Sequence, residues 1–305
     1  VPRAEPEAPR GPAKAEREAA APTAAVPEGV RASPAARQRA RELGVDLSAV
    51  AGSGPGGAVV LEDVLRGAGA EEGRAPQVAT PSADAARAMR EAIAAAMSRS
   101  KREIPHYYLG TTVSMLRLTE WMTEENRARP PDKRLLLVAP VLKAVALAAR
   151  EFPEMNGHWT DGSFRPSERV HAGLAISLRA GGLVAPAILD VDRRSLDELT
   201  TAVSDLVRRA RSGRLRSSEM TEATLTVSSL GDRGVDSLFG VIYPPQVVLV
   251  GVGRTVERPW TVDGVVVVHP VAEITLSGDH RASDGHRGAL FLERIGDLLQ
   301  HPEDL

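Results

Sequence analysis

Apolar residues recur every three or four positions in four stretches: Ala83 to Lys101 (through Met89, Ile93 and Met97), Leu116 to Arg129, Leu135 to Glu151 and Ser195 to Ser212. This spacing predicts amphipathic helices. A last helix repeats the pattern at Leu292, Ile295 and Leu299. Between these lie short runs rich in Val, Ile, Thr and Tyr, which predict strands. They are Tyr107 to Val113, Gly173 to Leu178, Thr224 to Ser228, Val247 to Val252, Val265 to His269 and Glu273 to Leu276. Strands and helices interleave without a regular repeat, so the pattern predicts a mixed α/β sheet with helices packed on it.

The pattern fails at two places. The first thirty residues hold six prolines and nine alanines with no Leu, Ile or aromatic, too little apolar area to offset chain entropy. Residues 1–29 are therefore expected to be a semi-stiff linker, and residues 68–82 a second one. The chain opens on Val1 with no export signal after it, so it reads as a fragment of a longer protein. Two folded units remain, a small one over 30–67 and a large one over 83–305. In the small unit Ser33-Pro34 is a helix start and Gly44 a helix stop, with Ala36, Ala40 and Leu43 on one face. A glycine-rich loop leads to a second apolar element, Val59 to Leu65. A unit under about 40 residues without a disulfide or metal is marginal, so its packing must be close to ideal or assisted by a partner.

Charge and composition narrow the chemistry. A formal charge of −2 over 305 residues disfavours a nucleic-acid binder that works through bulk positive charge. The absence of cysteine closes disulfide, cysteine-metal, iron–sulfur and thiol-nucleophile chemistry. No apolar run reaches the ~18 residues of a membrane span. A soluble protein with no membrane association, cytoplasmic in location, is expected.

Gly52-Ser53-Gly54-Pro55-Gly56-Gly57 formally matches a dinucleotide fingerprint, but a helix precedes it and the unit is too small for a strand–helix–strand element. A tight loop is the better reading. Arg37 and Arg41 lie four apart on the first helix, a spacing that suits a solvated face better than a docking patch for an acidic partner. In the run 276–285, LSGDHRASDG, a strand ends in a polar cluster before an amphipathic helix. His280 there could exchange a proton at neutral pH, with Asp284 fixing its ring or anchoring the loop through Arg281. A plain helix-start cluster with Asp284 on the dipole explains the same residues equally well. A metal held by His280, Asp284 and His286 is opposed by the neighbouring Arg281 and Arg287, and no metal is expected. Ser228 and Ser229 close another strand before Gly231. A serine there could donate to an oxyanion or simply cap the strand. No GxSxG elbow occurs, which argues against a serine hydrolase.

Taken in order, these segments resemble the dihydrolipoamide acyltransferase component of 2-oxo acid dehydrogenase complexes. Residues 31–65, RASPAARQRARELGVDLSAVAGSGPGGAVVLEDVL, resemble the peripheral subunit-binding domain. In the large unit MREAIAAAMSRSKREIPHYYL, EFPEMNGHW, GGLVAPAI, LTVSSLG and LSGDHRASDGHRGALFL are similar to successive blocks of the catalytic domain.

The resemblance implies a chloramphenicol-acetyltransferase-like α/β catalytic domain preceded by a small helical subunit-binding domain. It implies a homotrimer with its active site between subunits, often assembled into a larger cubic core. His280 then matches the general base, Asp284 the acid of the same motif and Ser228 the serine hydroxyl, with Ser229 where Asn is common. Arg37 and Arg41 match positions that dock the 2-oxo acid dehydrogenase and dihydrolipoamide dehydrogenase components, while Ala58 replaces an Arg that often follows the loop. The expected reaction moves an acyl group, acetyl by default, between dihydrolipoamide and coenzyme A. Branched-chain acyl or succinyl transfer and a non-catalytic scaffold are the alternatives. No lysine sits in an Asp-Lys-Ala turn, so the lipoyl domain is absent from this sequence and no covalent lipoyl group is expected on it.

Overall fold

The computed structural model describes residues 30–72, 83–178, 181–231 and 234–305, and the chain divides into two compact units, Val1–Val78 and Ala79–Leu305. Residues 1–29 and 73–82, where linkers are expected, lie outside the described residues.

In the small unit α1 (Pro34–Leu43) begins where Ser33 Oγ accepts the Ala36 N–H (3.2 Å) and ends at Gly44, whose φ of 69° is the left-handed cap glycine adopts freely. Its buried face, Ala36 and Ala40, packs with Leu47, Val59 and Val64 into a five-residue core. The second helix, α2 (Leu61–Glu72), runs beyond the Gly67 boundary. The glycine-rich stretch forms a tight loop organised by Asp63. That carboxylate, almost wholly buried, accepts the Ser53 N–H and hydroxyl (both 2.8 Å) and the Val60 N–H (3.1 Å). A Cβ on Gly52 would lie 2.5 Å from the Gly57 carbonyl oxygen, so the chain crosses itself where only glycine fits.

The large unit contains, in chain order, α3 (Ala83–Glu103), β1 (His106–Ser114), α4 (Leu116–Arg127) and α5 (Val138–Glu151). A hairpin of β2 (Gly157–Thr160) and β3 (Ser163–Pro166) follows, then β4 (Ala172–Leu174), a hairpin of β5 (Ile176–Ser177) and β6 (Leu183–Val184), and β7 (Ala187–Ile188). The chain continues through α6 (Leu196–Arg211), α7 (Ser217–Thr221), β8 (Leu225–Ser229), β9 (Val248–Val252), β10 (Val256–Val262), β11 (Val265–Asp279) and α8 (Gly285–Gln300). The seven-stranded sheet has the order β1-β11-β9-β8-β4-β7, with β10 paired to β11 beside β9. Pairs β9–β8 and β8–β4 are parallel and the others antiparallel, which makes the sheet mixed, as the interleaving pattern predicts. All five residues of β9 are buried, which is why its sequence is an unbroken apolar run.

The runs Val265 to His269 and Glu273 to Leu276 join into one fifteen-residue strand through Pro270. The Pro270 carbonyl accepts the Met115 N–H (2.9 Å), so its backbone polar positions face the β1 side beyond Ser114, where no ladder bond is lost. The sheet's faces are covered differently. Leu109 and Leu276 point to α8, packing where Gly288 leaves room. On the other face Ser277 Oγ donates to the Gly240 carbonyl (2.7 Å), and Thr275 Oγ1 donates to that of Leu238. Among the described residues no helix is long and apolar enough to cross a membrane.

Candidate active site

The loop between β11 and α8 is built outward from a buried carboxylate. Asp279 closes β11 and is fully buried, and Arg281 folds back to meet it. The Arg281 backbone N–H (3.0 Å), Nε (2.9 Å) and Nη2 (2.7 Å) all donate to the Asp279 carboxylate. Its guanidinium lies 4.5 Å over the Trp159 ring. The Asp279 carbonyl accepts the N–H groups of Ala282 (3.0 Å) and Ser283 (3.1 Å), which closes the turn.

Asp284 is the N-cap of α8. Its Oδ1 accepts the Arg287 N–H (3.0 Å), and that bond, aided by the His286 N–H and the nearby imidazoles, holds the carboxyl below its ordinary range. It makes no hydrogen bond to His280. The carboxylate therefore orients the loop and not the ring, and the partner of Arg281 is Asp279, a residue the sequence left without a role. An arginine two residues beyond an aspartate at a strand end is the signal that was present.

His280 occupies the exposed crest of this loop. Its backbone N–H donates to the Pro105 carbonyl (3.0 Å), tying it to the start of β1. Among the described residues neither ring nitrogen makes a hydrogen bond, so both are open to a substrate atom. The ring meets Tyr107 edge-to-face, at 5.3 Å between centroids.

Ser228 is buried near the end of β8, and its hydroxyl makes no hydrogen bond among the described residues. The sheet register keeps it far from His280 of the same chain. Ser228 and Thr275 both pair with Gly251, and His280 follows Thr275 by five residues. At ~3.3 Å per residue that is about 16 Å along the strand, in addition to two strand spacings of ~4.8 Å across. They also use opposite faces. Ser228 shares the Thr275 face, whereas His280 touches Tyr107 on the face packed against α8. One chain thus brings together His280 and Asp284 but leaves Ser228 at the other end of the sheet.

In the small unit Arg37 is half committed to structure, because its Nε and Nη2 donate to the carbonyls of Ala32 and Val30 (both 3.2 Å). Arg41 is exposed and makes no hydrogen bond or ion pair among the described residues.

Comparisons with known proteins follow the same division. Residues 80–305 match the family model described as 2-oxoacid dehydrogenases acyltransferase (catalytic domain), and residues 30–65 match an e3 binding domain. The lipoamide acyltransferase component of the branched-chain alpha-keto acid dehydrogenase complex of Pseudomonas aeruginosa is 35% identical over 290 residues, covering 90% of this chain and 67% of that protein. Dihydrolipoamide acetyltransferase of Azotobacter vinelandii superposes with a TM-score of 0.66 at 29% identity, covering 70% of this chain and 88% of that one. That structure comes from an investigation of a serine, a histidine and an asparagine four residues beyond it in the catalytic mechanism. The cubic core of the pyruvate dehydrogenase multienzyme complex superposes at 0.65, with 28% identity over 70% of this chain and 88% of that one. The chain belongs to the 2-oxoacid dehydrogenase acyltransferase family, with that family's catalytic domain behind an e3 binding domain.

Proposed function

We propose that the chain transfers an acyl group between dihydrolipoamide and coenzyme A, with His280 as the general base. The observation that carries this reading is the His280 imidazole, exposed on a loop pinned by Asp279 and Asp284 and hydrogen-bonded to nothing among the described residues. The coenzyme A thiol, with a pKa near ~8.5, is mostly protonated at neutral pH, and only its thiolate attacks a thioester well. His280 takes that proton as sulfur bonds to the acyl carbon, and returns it to the dihydrolipoamide thiolate as the old carbon–sulfur bond breaks. One thioester replaces another, so alignment and exclusion of water are the protein's work. Ser228 donates a hydrogen bond to the oxyanion.

Because Ser228 and His280 of one chain lie at opposite ends of the sheet, the serine at each site comes from a second copy. The β10–β11 hairpin supports association at the Ser228 end. It projects beyond Thr275 and leaves Val265, Val266 and Val268 61%, 69% and 72% exposed, an apolar surface that is uncommon on a lone chain. A homotrimer, alone or within a cubic core, satisfies both features. The Azotobacter enzyme's mechanism was studied at a serine, a histidine and an asparagine four residues beyond it, and His280 and Asp284 have that same spacing, with aspartate in the asparagine's place.

In this reading 30–67 is the peripheral unit that docks dihydrolipoamide dehydrogenase or the 2-oxo acid dehydrogenase through Arg37 and Arg41. Residues 83–305 are the catalytic unit, 1–29 and the stretch from the end of α2 to 82 are linkers, and the complex works in the cytoplasm. Lipoyl and coenzyme A are substrates. The test is acyl-coenzyme A formation from acetyl, branched-chain and succinyl dihydrolipoamide, with acetyl expected to be preferred. His280→Ala should lower turnover by ~10² to 10⁴-fold. Full activity in that variant would refute the assignment.

A further inference from the structure

We propose that Tyr107 is a positioning residue for His280, holding the imidazole where it meets the thiol. The inference rests on the reading of His280 as the base. An exposed histidine on a loop ordinarily exchanges rotamers freely, and a base that wanders loses near-attack geometry. Among the described residues His280 has no hydrogen bond to fix its ring, so restraint within the chain comes from packing. Tyr107 supplies it, edge-to-face at 5.3 Å and 68° between ring planes.

The tyrosine is itself held on three sides. On the strand, Tyr107 pairs with Gly278, and a Cβ there would come within 2.4 Å of the phenol ring. On α8, a Cβ at Gly288 would lie 2.9 Å from the Tyr107 hydroxyl. The two glycines form a slot whose occupant is this ring. At its far end the Tyr107 hydroxyl and Ser283 Oγ are 2.7 Å apart, and Ser283 directly precedes the cap residue Asp284. Tyr107 thus ties β1, the catalytic loop and the start of α8 together beneath the imidazole. Burial pushes its phenol above the ordinary range, so it stays neutral at working pH and adds no charge beside the base.

The experiment uses Tyr107→Phe, which keeps the ring, and Tyr107→Met, which fills the slot without a planar edge; Tyr107→Leu is a smaller second replacement. All are compared with His280→Ala in the full chain, with kcat, KM for coenzyme A and thermal midpoint measured together. Tyr107→Met should lower kcat by about ten- to a hundredfold with KM unchanged, and Tyr107→Phe should restore most of the loss. A purely structural tyrosine would move the thermal midpoint, with activity following it in both variants, and that result overturns the inference. So does a Tyr107→Met or Tyr107→Leu enzyme with parental kcat. If His280→Ala abolishes turnover while the Tyr107 variants keep it, only this inference falls. If His280→Ala is fully active, the reading of the base falls with it.

Discussion

Arg281 reaches back across two residues to surround the carboxylate of Asp279, and the loop that carries His280 is wound around that ion pair. Its energetics are asymmetric, since Asp279 is fully buried and Arg281 only partly so. Removing the arginine strands a buried charge, whereas removing both partners' charges does not. Arg281→Met should therefore cost roughly 3 kcal/mol of stability, read from urea unfolding of the catalytic unit. Adding Asp279→Asn to that variant should recover part of the loss. A single variant as stable as the parent would mean that water satisfies the carboxylate.

The separation of Ser228 from His280 within one chain makes an assembly prediction. His280→Ala and Ser228→Ala enzymes should each be impaired alone. Co-expressed, they should regain activity, because some sites then pair an intact histidine from one copy with an intact serine from another. Recovery no greater than the average of the two parents would place both residues in the same subunit's site.

Acid sensitivity should begin near neutrality. Burial pushes the imidazoles of His106 and His171 below their ordinary pKa near ~6.5. His106 Nε2 accepts the Ile242 N–H (3.1 Å), a bond that a protonated ring cannot make. The folded state thus prefers the neutral rings, and the unfolded chain takes protons first as pH falls. Their contribution is complete above ~6.5 and is lost as pH drops through the lower folded values. The thermal midpoint should decline from pH 7.5 to 5.5, and His106→Gln should make that decline shallower. An equal decline in both proteins would assign the effect to other groups.

The two arginines of the small unit should behave differently when reversed. Arg41→Glu changes a surface charge that has no partner among the described residues, so it should leave stability within about 0.5 kcal/mol while weakening capture of dihydrolipoamide dehydrogenase. Arg37→Glu also forfeits the bonds to the Val30 and Ala32 carbonyls. It should weaken capture and speed amide hydrogen exchange around residues 30–37 as well. Salt-insensitive binding in both variants would argue against electrostatic docking.

Most of the elements were legible because they rest on local rules. The helices α3 to α6 and α8 announce themselves by apolar spacing, and α1 by its caps at Ser33 and Gly44. The strand β10 was not legible. Its sequence, VERPWTV, carries two charges and Pro259, and it is a strand because β11 lies beside it. The break at Pro270 was misleading for the opposite reason, since the direction in which that residue's backbone faces is known only once β1 and β10 are in place.

The residues of the candidate site divide along the same line. The order of residue types brought the 276–285 cluster and the Ser228-Ser229 pair forward, because a strand end, a polar cluster and a helix start are written locally, but it was the family resemblance that chose His280, Asp284 and Ser228 among them. Only the tertiary structure assigned Arg281 to Asp279, confined Asp284 to the helix cap, set Tyr107 against His280 and put Ser228 beyond reach in the same copy. Those outcomes depend on β1, β9 and β11 lying side by side in a particular register. Register is a property of pairings between separate segments, which for β1 and β11 lie at opposite ends of the large unit's sequence, and no local spacing encodes it.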